Sequence, residues 1–341
     1  MRPAILLICL SLSMTLFPQS GTLIVLNKSD DTADLIDLES QRSVATLPTG
    51  SGPHEVAISP DGETAVITNY GRGNNWPGSS LTLIDIRSKK ILKTIDLSYK
   101  APHGIEFISA DQVLVTCEAN KKLIQVNISN DEIEKSIDTE QEVSHMVTYA
   151  PLTQKAFVAN IRSGSVSVID VKNERLEVII KTGEGAEGVA LSADGKSAWI
   201  TNRSANTISI IDTSSLDVIA EFDSEKFPIR IKMTSDGKYA LVSNAQTGDV
   251  KIFDAKSKKM VKTIPMEVTA IEKSESRLFQ SFDNSPVPVG ILIHPDNTHA
   301  FVANTNADLI TIINLEKLEI SGRLTAGKEP DGLGFSPIIH K

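Results

Sequence analysis

Short apolar runs recur along the chain with a period of about 42 residues, and their pattern is that of strands rather than helices. Val66-Ile67-Thr68, Phe157-Val158-Ala159 and Trp199-Ile200-Thr201 are β-branched or aromatic and too short for a buried helix. Each such run ends in a polar residue, at Asn27, Asn69, Glu118, Asn160, Asn202, Asn244 or Asn304. A second run in each unit ends at Asp37, Asp85, Asn127, Asp170, Asp212, Asp254 or Asn314, and five of these seven steps are ten residues. Asp61-Gly62, Asp194-Gly195 and Asp236-Gly237 precede the Asn-ending runs, where a tight hairpin needs such residues. Each unit therefore predicts four antiparallel strands, A to D. In the fifth unit these are Gly188–Leu191, Ser197–Thr201, Thr207–Ile211 and Val218–Phe222.

A four-stranded sheet that is apolar on both faces must be covered on both, so neighbouring units stack radially. The pattern predicts an all-β, seven-bladed propeller. The chain begins with strands B to D (Thr22–Leu26, Ala33–Ile36, Ser43–Leu47) and ends with a lone strand A (Gly332–Phe335), and together these complete one blade. Closure of this kind removes exposed sheet edges. The Asn residues that end strands B are expected to cap the B–C turns.

Charge and leader refine the picture. The formal charge is −9, which argues against a nucleic-acid partner, because phosphate binding needs basic stripes. Arg2 followed by the uncharged run Ala4–Phe17 is shorter than the roughly 20 residues that span a bilayer. Residues 1–20 therefore read as a signal peptide and 21–341 as one exported domain, periplasmic or extracellular, with no membrane span once the leader is gone. A retained anchor is the alternative. Beyond the leader only Cys117 remains, so no internal disulfide is expected; its thiol is either buried and inert or a ligand.

The runs Val66-Ile67-Thr68-Asn69, Phe157-Val158-Ala159-Asn160 and Trp199-Ile200-Thr201-Asn202 resemble the YVTN-type propeller repeat over essentially the whole mature chain. The resemblance implies kinship with exported YncE-like and surface-layer-like proteins. Pro53–Gly62 also resembles a repeat of propeller lactonases. These likenesses speak to the fold, not to the chemistry.

Candidate chemistry gathers where the strands A begin. Counting back 15 residues from each B-end position reaches His54, His103, His145, Glu187, Ile229 and Val289, and the closing strand adds Asp331. Imidazole and carboxylate are divalent-metal ligands, so His54, His103, His145, Glu187 and Asp331 form a candidate metal ring. Glu118, the one B-end position that is not Asn, is expected beside His103, and it joins the three histidines as a candidate catalytic group. Histidines that merely bond channel waters and carbonyls are the structural alternative.

Two lengthened connections fall on the same face. Asn69 to Asp85 spans sixteen residues, and Asp254 to Val289 spans 35 against 17 or 18 elsewhere. The first holds Tyr70, Arg72, Asn74, Asn75 and Trp76; the second, about Met266–Ser285, holds Phe279 and Phe282. With Arg162, Arg203 and Arg230 nearby, Arg72 and Trp76 complete a set of substrate-binding candidates suited to an anionic small molecule. Three readings follow: a metal-assisted hydrolase or lyase of lactonase-like layout on a small anionic or sugar-derived substrate, a non-catalytic binding or surface protein, and a copper or haem electron-transfer propeller. No Cys-x-x-Cys-His haem-attachment motif is present.

Overall fold

In the computed structural model, which describes residues 19–73, 75–268, 279, 281–282 and 285–340, the strands form seven four-stranded antiparallel sheets. The sequence-predicted strands are found, each one to three residues longer. In the fifth blade they are Ala186–Leu191, Ser197–Asn202, Thr207–Asp212 and Val218–Asp223. The predicted leader, residues 1–18 of it, and Asn74 lie outside the described residues. Among those described, the one helical element is a single 3-10 turn at Glu118–Asn120.

The first blade is composite as expected. Pro330–Ser336 pairs antiparallel with Thr22–Asn27, which continues to Thr32–Asp37 and Arg42–Pro48. Each of the seven blade interfaces encloses its own apolar cluster. The cluster between blades one and seven joins Leu23 and Val25 to Phe301 and Ile310. This sandwiching explains the sequence texture. Strand Lys155–Asn160 is buried almost throughout because both faces meet another blade. The outer strand Glu132–Asp138 alternates between exposed and covered positions.

Burial fixes the register of the hub. Thr68 Oγ1 donates to the carbonyl of His103 at 2.9 Å, and Ser243 Oγ does the same to Val289 at 2.8 Å. A hydroxyl one residue before the B-end thus ties each of these blades to the next ring position. The B-end amides do more than cap turns. Asn202 Nδ2 reaches Thr207 and Ser209 on strand C, while Asn69 Oδ1 accepts the Gly50 amide of the incoming loop.

Register corrects one assignment. Asn69, Asn160, Asn202 and Asn244 pair with the first residue of their strands A, and in blade three that partner of Pro102 is Cys117. Cys117, not Glu118, holds the B-end place. The A–B turn of this blade is one residue shorter, since Phe107 pairs with Val113 whereas Ile58 pairs with Ala65. The thiol is fully buried, and burial pushes its pKa up, which keeps it protonated and inert.

Deleting Pro330–Lys341 should strip blade one of its innermost strand. We expect a large drop in melting temperature and loss of a single cooperative transition; a truncated chain that melts like the intact one would refute closure through this strand.

Candidate functional site

The seven residues reached by counting do form one ring at the mouth of the central channel, and all seven are buried. Five consecutive members are ionisable: Asp331, His54, His103, His145 and Glu187. The strands A crowd the axis so closely that a side chain at the next position generally does not fit. A Cβ on Gly290 would lie 1.9 Å from the Asp331 carbonyl oxygen, and one on Gly332 2.4 Å from that of His54. Gly104 and Gly188 meet the same obstacle.

Three of the seven positions keep a side chain, Glu55, Met146 and Arg230, and the first and last of these meet each other. Arg230 reaches Glu55, 175 residues away, with Nε at 3.1 Å and Nη2 at 2.7 Å from Oε1. Its Nη1 lies 3.1 Å from Glu187 Oε1. Arg203 Nη1 holds the other oxygen of Glu187 at 2.7 Å. Burial alone would raise the Glu187 pKa, but Arg203, His145 and Arg230 outweigh it and bring it to about 2. Burial likewise works against the Arg230 charge, and Glu55 and Glu187 reverse that, so its pKa is raised. These two arginines, expected to bind substrate, are already spent on the ring's own carboxylates.

The three imidazoles stand side by side. Ring centroids of His54 and His103 are 4.0 Å apart, and those of His103 and His145 are 3.5 Å apart. Adjacent cations at such distances repel, so the environment sorts their protons. His54 is depressed by burial, then by Lys28 and Arg230. His103 is depressed by burial and by the neighbouring imidazoles. For His145 burial again opposes charge, yet Glu118 and Glu187 overcome it and hold its pKa above the ordinary value. His145 Nδ1 donates to Glu118 Oε1, and its Nε2 lies 3.2 Å from Glu187 Oε1. Glu118, expected beside His103, does lie within 4.8 Å of it, and its hydrogen bond goes on to His145 of the next blade.

His54 Nε2 accepts from Lys28 Nζ at 3.0 Å, while Asp331 Oδ2 lies 3.0 Å from its Nδ1. Burial raises the Asp331 carboxyl to about 6 despite the opposing pull of Lys28 and Arg230. His103 differs from both neighbours. It is completely buried, and neither ring nitrogen has a hydrogen-bond partner. Such an imidazole leaves its donor and acceptor capacity unmet. Two groups of closely spaced potential ligands share it: His54, Glu55, His103 and His103, Glu118, His145.

Above this ring lies a second one that the sequence reading missed. Residues immediately after the B-end overhang the hub, and they include Lys28, Tyr70, Glu118, Ile161 and Arg203. Tyr70 OH donates to Glu118 Oε2 at 2.8 Å. The signal was available. Taking Cys117 as the B-end makes its step to Asn127 the ten residues seen in other blades, and Glu118 then aligns with Lys28 and Tyr70.

The two rings enclose a funnel of about 850 Å³. Arg72 stands at its mouth, bonded to Asp31 at 2.7 Å. Arg162 lies in an adjoining hollow over blades four and five and lies 3.5 Å from Glu142. Trp76 is 76% exposed and does not line the funnel. The structure therefore brings the ring, Glu118, Arg72, Arg203 and Arg230 together in the funnel, while Arg162 shares the adjoining hollow with Tyr70, Glu118 and Arg203, and Trp76 lines neither.

Replacing Glu187 by Gln would leave Arg203, Arg230 and His145 short of a counter-charge, at a cost of about 3–5 kcal/mol. The pH dependence has a definite sign. A carboxyl depressed from 4.5 to about 2 contributes stability above the ordinary range and loses it as pH falls through 4.5 toward 2. Asp331, raised from 3.8 to about 6, has the opposite sign and favours the folded state less as pH rises through that interval. Denaturant titrations should show E187Q less stable near neutrality, with a smaller loss between pH 4.5 and 2; equal stability at pH 7 would contradict the network.

With the geometry established, comparison with known proteins adds the lineage. Residues 108–274 match the family described as YNCE-like beta-propeller. No curated protein matches the chain. Among solved structures, a functionally unknown protein from Desulfotomaculum acetoxidans aligns with TM-score 0.73 at 14% identity, covering 93% of this chain and 99% of its own. Kuenenia stuttgartiensis hydrazine synthase aligns with TM-score 0.69 at 19% identity, over 82% and 88%. Dihydro-heme d1 dehydrogenase NirN, in complex with DHE, gives TM-score 0.64 at 17% identity, over 89% of this chain but 63% of that one. At these identities the likeness is one of fold. The matched segment and the closed ring of seven four-stranded blades together support a likeness to the YncE-type β-propellers.

Proposed function

We propose that the funnel is the active site of a metal-assisted hydrolase or lyase acting on a small anionic substrate. The observation that carries this reading is His103, a buried imidazole with both nitrogens unpartnered, between two more imidazoles and within reach of Glu118. The donor set suits a divalent ion of borderline softness, held by His103, Glu118 and His145. Such an ion would supply Lewis acidity toward a carbonyl oxygen or a water molecule.

The flanking groups fit supporting roles better than ligation. Glu187, expected among the ligands, is held by two arginines, and its contact with His145 Nε2 orients that ring. Asp331 stands in the same relation to Nδ1 of His54. A ligating imidazole commonly gives its other nitrogen to a carboxylate in this way. His54, kept neutral and aimed by Asp331, is placed to take a proton at Nε2, where Lys28 now donates. Tyr70 steadies Glu118 through its hydroxyl.

Ligand binding without chemistry is the second reading. It is favoured by the closed chain of ion pairs Arg203–Glu187–Arg230–Glu55, which makes half the site rigid and chemically satisfied.

The proton that His145 shares with Glu118 sits where the ion would bind, so binding must release it. Calorimetry with Zn²⁺ in two buffers of different ionisation enthalpy should register that release, with affinity falling as pH falls. H103A and H145A should each lose about 10–100-fold or more in affinity, and Ile229→Ala on the same ring should not. Chelation should abolish turnover of lactone or ester acids. If the protein purifies without stoichiometric metal, fails to bind Zn²⁺, and H103A behaves like the Ile229 control, the binding-protein reading takes over.

A further inference from the structure

The hub ring is chemically divided. Five consecutive positions carry ionisable groups, while the remaining two, Ile229 and Val289, are apolar and buried. The apolar sector continues away from the axis through Ala245 and Val287 to a packed group of Phe227, Phe279 and Phe282. Phe279 and Phe282 stack at 5.0 Å with planes only 3° apart, and Phe279 lines the funnel.

A cation stands where the apolar sector ends. Lys28 belongs to blade one, next to the blade of Val289, and overhangs Asp331. An ammonium has three donors. One of them is directed to His54 Nε2, Asp331 Oδ2 is 3.9 Å away, and the side chain keeps 15% of its surface exposed in the funnel.

From these observations we infer that the funnel takes a carboxylate with a flat apolar face, of which an aromatic acid is the simplest form. The carboxylate meets Lys28, and the flat face covers Val289, Ile229 and Phe279. A polyhydroxylated acid seated in the same way would place hydroxyls against Val289, Ile229 and Phe279, which offer them no side-chain partner, and this disfavours its binding there. A neutral hydrocarbon would fit the apolar wall but strip water from the Lys28 ammonium, whose ion pair with Asp331 is long at 3.9 Å, without offering it a new partner. At about 850 Å³ the cavity is within the range of small-molecule sites. This inference rests on the funnel being the ligand site proposed above, and it narrows the substrate from small anions in general to acids with an apolar face.

Calorimetry on the full chain, stripped of metal with a chelator, separates this question from metal binding. Three probes are used: 1-naphthoate, its neutral counterpart 1-naphthylmethanol, and gluconate. Naphthoate should bind at least about tenfold more tightly than either of the others. Lys28→Met should bring naphthoate down to the affinity of the alcohol, and Val289→Thr should weaken naphthoate without improving the alcohol. Should Lys28→Met fail to fold, the wild-type ranking of the three probes decides. Gluconate binding as tightly as naphthoate, an unchanged affinity in Lys28→Met, or no binding by any probe overturns the proposal. Naphthoate preference in a protein that binds no metal would sink the metal reading and leave this one standing.

Discussion

Seven strands converge on one axis, and the space left between them decides what the rest of the molecule can be. Where neighbouring strands A approach most closely, a Cβ would lie within 2.7 Å of a backbone oxygen, so Gly104, Gly188, Gly290 and Gly332 fill those places. That crowding forces the preceding side chains into one ring. Three imidazoles become neighbours at 3.5–4.0 Å although their residues are far apart in the chain. Of the three positions that are not glycine, Met146 is apolar, while Glu55 and Arg230 form a buried ion pair between distant blades.

The electrostatics of the hub follow from the same confinement. Three imidazoles in contact cannot all be charged, and the surrounding charges decide which one is. Glu118 and Glu187 draw a proton to His145, whereas Lys28 and Arg230 help burial to keep His54 neutral. His103, between them, has neither a carboxylate nor a hydroxyl to bond. The ring is therefore not a set of equivalent histidines. It has a charged side, a neutral side, and an unsatisfied centre.

Much of this was legible in the sequence, because a repeat fold converts sequence spacing into spatial equivalence. The closure of the first blade by the last strand, and all seven ring positions, follow from counting. His103 was located correctly through two compensating features. Glu118 is one place beyond the true B-end, and the A–B turn of that blade is one residue short. Lys28 was missed, and Tyr70 was seen only as part of a long connection, because the position after the B-end carries no fixed residue type; only register reveals that such residues overhang the ring. The fate of the arginines was not legible. Arg203 and Arg230 look like anion binders by location, but whether a guanidinium is free or already paired depends on partners such as Glu55, which are distant in the chain. Trp76 lies in a long connection, and length alone did not fix which way it would face.

The central claim is that His54, His103 and His145 form one unit around an unsatisfied imidazole. Side-chain nitrogen NMR of the ¹⁵N-histidine-labelled chain, recorded while Zn²⁺ is added, tests it most directly. The account predicts that the resonances of all three ring histidines change together and saturate at one equivalent, with the largest change at His103, while His294, His299 and His340 stay in place. If the ring resonances remain fixed, or move independently of one another as zinc is added, the three imidazoles are structural neighbours only and the account is wrong.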